Sequence, residues 1–315
     1  MAPFCPHILW KTRRKASFFL HRQQDLASVV GIGDGAVVKY RMIAVDLDGT
    51  LLSPSGQVTP RTKTAIHRAL EAGLLICFAT GRNFTESQAV LETVAHYDPA
   101  VFVGGALVVD PRTRLTLHRT LMDGQLARDL CQFFESQGHA ALALQDRSTA
   151  GIDYLASGGF DLNVTTEHWL KVTRAAIQRR TDLAGHSHDH TIRVGIVAPA
   201  PAARPIYAEL RRAFGARVVA HCLFTPGDLG IVEAFDPSVS KWQGILRVGQ
   251  RYNVQPREII AIGDDVNDLS MIQNAGLGIA MGNASPELLQ CAARVIGRND
   301  QEGLAIFLEE LLAAA

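Results

Sequence analysis

The feature that most constrains the fold is an alternation of short apolar runs with helical stretches, which begins at residue 41. Met42–Val45 is an apolar run of the kind found in strands buried on both faces, and residues 74–79 form a second. Between them, Thr59 as N-cap and Pro60 at the first helical position predict a helix that Gly73 ends. Strands alternating with helices predict an α/β fold with a parallel sheet and helices on its faces.

The same rhythm returns near the end of the chain, and a separate α/β block lies between the two parts. Strands are predicted at 100–103, 106–109, 258–262, 277–280 and 295–296, and helices near 85–96, 241–252, 268–273, 286–290 and 303–312. In the middle block we predict helices at 125–137 and 206–214 and strands at 140–144, 192–197, 218–222 and 230–234. The predicted division is therefore a core of residues 41–114 and 237–315, with residues 115–236 inserted as a second domain.

Residues 1–40 differ from the rest, because five basic residues precede the first acidic residue, Asp25. This pattern fits an extension without a fold of its own upstream of Met42, or an organelle-targeting peptide. The predicted location is cytoplasmic, with organelle targeting by residues 1–40 as the alternative.

Composition excludes several classes of protein. Lys and Arg number 31 and Asp and Glu number 31, so the formal charge is zero, which argues against a general nucleic-acid binder. No apolar run reaches membrane-spanning length, so no membrane partner is predicted. The five cysteines are scattered, which indicates free thiols and not a disulfide framework or zinc cluster.

Polar residues whose side chains could bind ligands or take part in catalysis follow the buried strands. Asp46 and Asp48 follow the first strand, Thr80 the second, and Asp264 the strand at 258–262, whereas Lys241 begins a helix. Ligands of open parallel sheets bind beyond the carboxyl ends of the strands, so we expect these side chains to converge. Plain turn formation by the two aspartates is the competing interpretation.

A converging set of aspartates needs a cation. Five carboxylates in one crevice would repel each other and raise each other's pKa, and Mg²⁺ with its preference for oxygen ligands is the natural counter-ion. Lys241 adds a fixed positive charge, and Thr80 offers a hydroxyl and a backbone N–H to phosphate. An aspartate can attack phosphorus while a second acts as general acid and base, so phosphoryl transfer is the predicted chemistry.

Four motifs in this order resemble those of the haloacid-dehalogenase (HAD) superfamily of phosphatases, in its Cof-type sugar-phosphatase-like form. They are Asp-Leu-Asp-Gly-Thr-Leu-Leu at 46–52, Phe-Ala-Thr-Gly-Arg at 78–82, Ser-Lys at 240–241, and Gly-Asp-Asp-Val-Asn-Asp at 263–268 followed by Met271. The resemblance covers about residues 41–312. It implies a Rossmann-like parallel-sheet core with an inserted α/β cap that selects the substrate.

The resemblance also implies a role for each matching residue. Asp46 is the expected nucleophile and a Mg²⁺ ligand, and Asp48 the general acid and base and a metal ligand through its carbonyl. The other expected metal ligands are Asp264 and Asp268. The expected contacts to phosphate are Thr80, Gly81, Lys241 and Asn267.

One departure and several weaker signals remain. Related chains often have Asn-Gly-Ala after the third strand, where this chain has Gly104-Gly105-Ala106, so one side-chain contact is lost. Asp265 is either a site residue or a helix-start acid, and Arg82 either binds phosphate or caps a loop. We interpret three sets as structural: the solvated loop histidines 186, 188 and 190, the packing aromatics Phe160, Trp169 and Phe224, and Cys77 in a buried strand.

The predicted function is a Mg²⁺-dependent phosphatase that hydrolyses a small phosphorylated metabolite through an aspartyl-phosphate intermediate. The substrate classes considered are a sugar phosphate and a cofactor phosphate such as pyridoxal phosphate or flavin mononucleotide. A phosphomutase or phosphotransferase with the same nucleophile and a non-catalytic binding protein stay open as alternatives. A signalling receiver is disfavoured by the large insertion and by Asp48, and a P-type pump by the lack of membrane spans. The oligomeric state is left open.

Overall fold

A computed structural model describes residues 40–162, 164–173, 175–225 and 229–314, so the prediction for residues 1–40 lies almost wholly outside the described residues. The strands are β1 (Met42–Val45), β2 (Leu75–Phe78), β3 (Ala100–Phe102), β4 (Leu107–Asp110), β5 (Leu115–Arg119), β6 (Leu142–Gln145), β7 (Tyr154–Ser157), β8 (Ile177–Arg180), β9 (Thr191–Pro199), β10 (Val219–Thr225), β11 (Leu229–Phe235), β12 (Ile259–Gly263), β13 (Leu277–Ala280) and β14 (Arg294–Val295). The α-helices are α1 (Pro60–Glu71), α2 (Phe84–Val94), α3 (Gly124–Ser136), α4 (Arg147–Ala150), α5 (Val164–Thr173), α6 (Ala200–Phe214), α7 (Lys241–Arg251), α8 (Leu269–Asn274), α9 (Pro286–Cys291) and α10 (Gly303–Ala313).

The central sheet is parallel, with strand order β14-β13-β12-β1-β2. β1 and β12 are buried along their whole length, which explains why their sequences are continuous apolar runs. The order places the carboxyl ends of β1, β2 and β12 side by side. The fold class predicted from the sequence is therefore confirmed, and the first and fourth motifs follow adjacent strands.

A three-stranded antiparallel sheet of β3, β4 and β5 adjoins this sheet, and a parallel bridge from Ala79 to Val101 links it to the end of β2. The chain reverses between β3 and β4 at Gly104 and Gly105, both with positive φ. The strand at 106–109 therefore does not continue the parallel sheet. Because β5 pairs with β4, the core pairing extends past residue 114, although the domain division itself stays a prediction.

The inserted segment forms a six-stranded sheet of order β10-β11-β9-β6-β7-β8. Its pairs are antiparallel except β7 with β8. One face packs on α3 and α6 through Val194, Val232, Leu130 and Leu210. The other face carries Arg193 and Glu233, which line a cavity shared with the core.

Helix capping agrees with the sequence where a cap was predicted. The Thr59 hydroxyl accepts a hydrogen bond from the Thr62 amide at 3.1 Å, and the Ser240 hydroxyl accepts one from Gln243 at 3.2 Å. No apolar pattern predicts β8, whose residues include Gln178, Arg179 and Arg180 and are only half-buried or exposed. Within the described ranges, no helix is both long and apolar enough to span a membrane.

Candidate active site

Lys241 and three aspartates form a buried charge cluster at the carboxyl edge of the parallel sheet. The Lys241 ammonium donates to Asp46 Oδ1 at 2.5 Å and to Asp268 Oδ1 at 2.6 Å. One carboxylate oxygen from each of Asp46, Asp264 and Asp268 lies within 4.8 Å of the other two. Three carboxylates thus face one ammonium, and a residual negative charge remains.

The pKa values respond to this excess. Burial raises the pKa of Asp46 well above its usual range; Lys241 opposes this effect, and the charges of Asp268 and Asp264 add to it. Burial and the charge of Asp268 raise the pKa of Asp264 to about 7. The pKa of Lys241 is also raised, because the attraction of Asp268 and Asp46 exceeds the cost of burying its charge. A divalent cation bound here would lower the pKa of both aspartates, because it favours their charged form.

The loop after β1 is shaped so that Asp264 can approach it. Gly49 has φ +79°, and a Cβ there would lie 2.1 Å from Asp264 Oδ2. The Thr50 hydroxyl donates to Asp264 Oδ1 at 2.9 Å, and Asn283 Nδ2 donates to the Gly49 carbonyl at 2.9 Å. A side chain at position 49 would therefore displace a metal-ligand candidate.

Both carboxylate oxygens of Asp268 have hydrogen-bond partners. Its Oδ2 accepts from the amides of Asp264 at 3.0 Å and Asp265 at 3.2 Å, while its Oδ1 faces Lys241. Asp265 Oδ1 accepts from the Val266 amide at 2.7 Å, as expected of a helix-start acid, and Asp265 also lines the cavity. The fourth motif therefore combines one fixed carboxylate, Asp268, with the more open Asp264.

Thr80 and Lys241 are positioned by the glycine turn after β3. The Gly104 amide donates to the Thr80 carbonyl at 3.0 Å, and Thr80 Oγ1 accepts from the Arg82 amide at 3.1 Å. A Cβ at Gly105 would lie 1.9 Å from the Ser240 carbonyl oxygen, so only glycine admits the start of α7 there. The Gly-Gly departure thus keeps the glycine that the packing requires.

Asp48 is separate from the buried cluster. Its carboxylate is exposed and paired with Arg82, whose Nε lies 2.7 Å from Asp48 Oδ2. Asp48, Arg82, Gly81 and Asn267 all line the cavity. The structure thus gives Arg82 a partner that sequence reasoning did not foresee, and it leaves Asp48 facing incoming ligands.

The cavity has a volume of about 660 Å³, and residues of the six-stranded sheet line one side of it. Five of its polar residues were not foreseen: Glu86, Tyr154, Thr166, Arg193 and Glu233. Burial raises the pKa of Glu86, whereas Arg193 lowers the pKa of Glu233 against the effect of burial. A charged residue in the middle of an otherwise apolar strand was the signal for Arg193 and Glu233.

The weaker signals resolve in different ways. His188 is buried, and its ring nitrogens lie 2.9 Å from Thr191 Oγ1 and 3.1 Å from the Leu183 carbonyl, so the prediction of a solvated loop is wrong for this residue. Phe224 lines the cavity with Arg204 over its ring, Phe160 is half-buried, and the Trp169 side chain lies outside the described residues. Cys77 is buried as predicted.

Phosphatases are among the known proteins whose sequences are similar to this chain. Phosphatase YwpJ of Bacillus subtilis is 27% identical over 86% of this chain and 100% of its own length. The 5-amino-6-(5-phospho-D-ribitylamino)uracil phosphatase YwtE of the same species is 28% identical over 87% and 98%, and HMP-PP phosphatase of Serratia proteamaculans is 25% identical over 87% and 96%.

Solved structures show the same fold. A haloacid dehalogenase-like hydrolase from B. subtilis superposes with a TM-score of 0.72 at 20% identity, covering 86% of this chain and 99% of that one. TM0651 from Thermotoga maritima gives 0.69 at 22% identity, covering 86% and 97%. The family model for haloacid dehalogenase-like hydrolases matches residues 43–308. The predicted family and enzyme class are confirmed: the chain belongs to the haloacid dehalogenase-like hydrolases, as a phosphatase of that type.

Proposed function

We propose that this protein is a Mg²⁺-dependent phosphatase that hydrolyses small phosphorylated metabolites through an aspartyl phosphate on Asp46. The observation that carries the proposal is the position of Asp46 in the cavity, 2.5 Å from Lys241 and within 4.8 Å of the carboxylates of Asp264 and Asp268. Relatives named for phosphatase activity on phosphorylated metabolites support the same chemistry.

The donor set fits a magnesium ion. Asp46, Asp264 and Asp268 offer only oxygen, which Mg²⁺ prefers, and their excess negative charge favours a divalent cation. Asp46 and Asp264 are the proposed direct ligands, together with the Asp48 carbonyl. Asp268 is already held by Lys241 and two amides, so it would orient the others or bind through water. When bound, the ion would neutralise charge on the transferring phosphoryl group.

Asp46 and Asp48 carry out the two half-reactions. A carboxylate oxygen of Asp46 attacks phosphorus, the ester bond breaks, and the leaving oxygen takes a proton from the Asp48 carboxyl. Asp48 then accepts a proton from water, which attacks the phosphoryl group, releases inorganic phosphate and restores Asp46. Lys241, Thr80 and the Gly81 amide stabilise the phosphoryl oxygens, and Asn267 helps to orient them. Arg82 holds the Asp48 carboxylate at the mouth of the site.

The test is phosphate release from 4-nitrophenyl phosphate with and without Mg²⁺, for the wild type, Asp46→Asn and Asp182→Asn. Asp182 is exposed and distant in sequence from the motifs, so its variant controls for loss of a carboxylate. We expect Mg²⁺-dependent release from the wild type and Asp182→Asn, and a loss of at least about a thousandfold in Asp46→Asn. Normal Mg²⁺-dependent release by Asp46→Asn would contradict the mechanism.

A further inference from the structure

The roof of the cavity is one face of the inserted sheet. β9 and β11 pair antiparallel, with Gly195 opposite Glu233 and Val197 opposite Ile231. Alternation along the two strands puts Arg193, Gly195 and Val197 on the same face as Ile231 and Glu233, and all of them line the cavity. The roof therefore has a charged part and an aliphatic part.

The charged part lies beside the second motif. Arg193 Nη1 donates to Glu233 Oε2 at 2.6 Å and to the Gly81 carbonyl at 3.4 Å, and Nη2 donates to Tyr154 Oη at 3.1 Å. The side chains of Arg193 and Glu233 are 12% and 3% exposed. The pair is thus fixed in place next to the turn that carries Thr80 and Gly81.

The aliphatic part begins farther along the strands. Val197 is four residues from Arg193, a distance of about 13 Å on an extended strand. Leu223 of β10 pairs with Ile231 and continues the aliphatic surface. Of the two parts of the roof, the charged part is therefore the one in contact with the turn at Gly81.

Gly195 makes the roof flat between these two parts. A Cβ at this position would lie 2.6 Å from the Val232 carbonyl oxygen, so the register admits only glycine. Leu142 of β6 pairs with Gly195 and also lines the cavity. The resulting surface is flat and apolar, with the shape and polarity to contact the face of a planar ring.

Sugar hydroxyls fit this surface poorly. A hydroxyl buried against aliphatic side chains without a hydrogen-bond partner loses its hydration without compensation, and a sugar would bury several hydroxyls. A heteroaromatic ring would bury its faces favourably against Val197, Ile231 and Leu223, and a ring nitrogen or carbonyl would accept from Arg193. A buried Arg–Glu pair stabilises a fold little on its own, so its position at the cavity wall points to ligand orientation.

We propose, resting on the phosphatase function above, that the roof of the cavity selects phosphate monoesters of heteroaromatic alcohols over sugar phosphates. Arg193 contacts an acceptor on the ring, and Val197, Ile231 and Leu223 contact the ring face. Arg193 and Ile231 are the specificity-determining residues of this assignment.

The experiment measures kcat and KM with Mg²⁺ for four esters. Pyridoxine 5′-phosphate has a ring with acceptors, benzyl phosphate a ring without them, glucose 6-phosphate a sugar, and methyl phosphate too short a group to reach the roof. We expect kcat/KM of the wild type to be highest for pyridoxine 5′-phosphate, with benzyl phosphate next and glucose 6-phosphate at least about tenfold below the best ester.

Two variants separate the two parts of the roof. Ile231→Ala should lower kcat/KM about tenfold for both ring esters, chiefly through KM, and leave methyl phosphate within about twofold. Arg193→Met should lower kcat/KM about tenfold to a hundredfold for pyridoxine 5′-phosphate and much less for benzyl phosphate. Arg217→Met is the control, because Arg217 is an exposed arginine of the cap paired with Asp129. If Arg193→Met does not fold, Ile231→Ala decides.

The outcomes distinguish the two proposals. Preference for glucose 6-phosphate, or an equal loss on methyl phosphate and the ring esters in Ile231→Ala, overturns the assignment of the roof and leaves the phosphatase in place. Failure of the wild type to release phosphate from any of the four esters and from 4-nitrophenyl phosphate overturns the phosphatase and the roof assignment together.

Discussion

Two clusters of buried charge face each other across the cavity, and they are built differently. The floor of the cavity is formed by Lys241 with Asp46, Asp264 and Asp268. It has three carboxylates and one ammonium, so negative charge is in excess. In the roof, Arg193 is matched by Glu233, and Glu86 nearby has a pKa raised by burial. The floor therefore needs a further cation, whereas the roof is satisfied by its own partners.

This difference connects charge balance to function. An unbalanced cluster is costly in the free protein and becomes favourable only when a cation and a phosphate ester arrive. A balanced cluster keeps its geometry with or without ligand and suits a selecting surface. Perturbing the floor should alter metal binding and turnover, and perturbing the roof should alter substrate preference.

Lys241→Met should give the largest effect, because it leaves Asp46 and Asp268 buried without their shared partner. We expect turnover to fall at least about a hundredfold and the free energy of unfolding without Mg²⁺ to fall by about 3–5 kcal/mol. Phosphate release and urea denaturation measure these changes. Lys171→Met, at an exposed position of α5, is the matched control. Unchanged stability in Lys241→Met would show that the floor is not under electrostatic strain.

Gly49→Ala tests how closely the floor is packed, and Gly56→Ala is its control. The two glycines have similar positive φ values, +79° and +73°, so alanine costs about 1–2 kcal/mol of backbone strain at either. The added Cβ would meet Asp264 at position 49, whereas at position 56 no atom of the described residues lies within 4 Å of it. We expect Mg²⁺-dependent turnover to fall at least about tenfold in Gly49→Ala alone. Equal turnover of the two variants would remove Asp264 from the mechanism.

The same two clusters show what a sequence reveals and what it hides. Asp46, Thr80, Lys241 and Asp264 are visible because each stands beside the end of a buried strand or at a helix start, where local pattern fixes its place. Arg193 and Glu233 stand out only as charged residues in apolar strands, and their place in the cavity depends on strand register, which the sequence does not show. Gly195 opposite Glu233 is a fact of pairing between segments far apart in the chain. His188 was misjudged for a similar reason, since its partners come from the fold around the loop.

The rise in Tm caused by metal binding should depend on the floor residues and not on the roof residues. A ligand at one hundred times its Kd stabilises the folded state by about 2.7 kcal/mol, and Mg²⁺ at such a concentration should raise the Tm of the wild type accordingly. Asp264→Asn should lose most of this increase, whereas Glu233→Gln should keep it, because Glu233 belongs to the roof. Differential scanning fluorimetry with a Mg²⁺ titration gives the comparison. An equal loss in both variants would mean that roof and floor are not independent.

The smallest effect is expected for Tyr154→Phe. The Tyr154 Oη donates to Glu86 Oε1 at 2.9 Å and accepts from Arg193 at 3.1 Å. Tyr154→Phe should lower the free energy of unfolding by about 1–3 kcal/mol, because both half-buried partners lose a hydrogen bond. Tyr207→Phe removes a cap hydrogen bond away from the cavity, to the Ala220 carbonyl, and should cost less. The Mg²⁺-induced rise in Tm should be the same in both variants. A reduced rise in Tyr154→Phe alone would show that the roof transmits its geometry to the carboxylates below, and the two clusters would then act as one site.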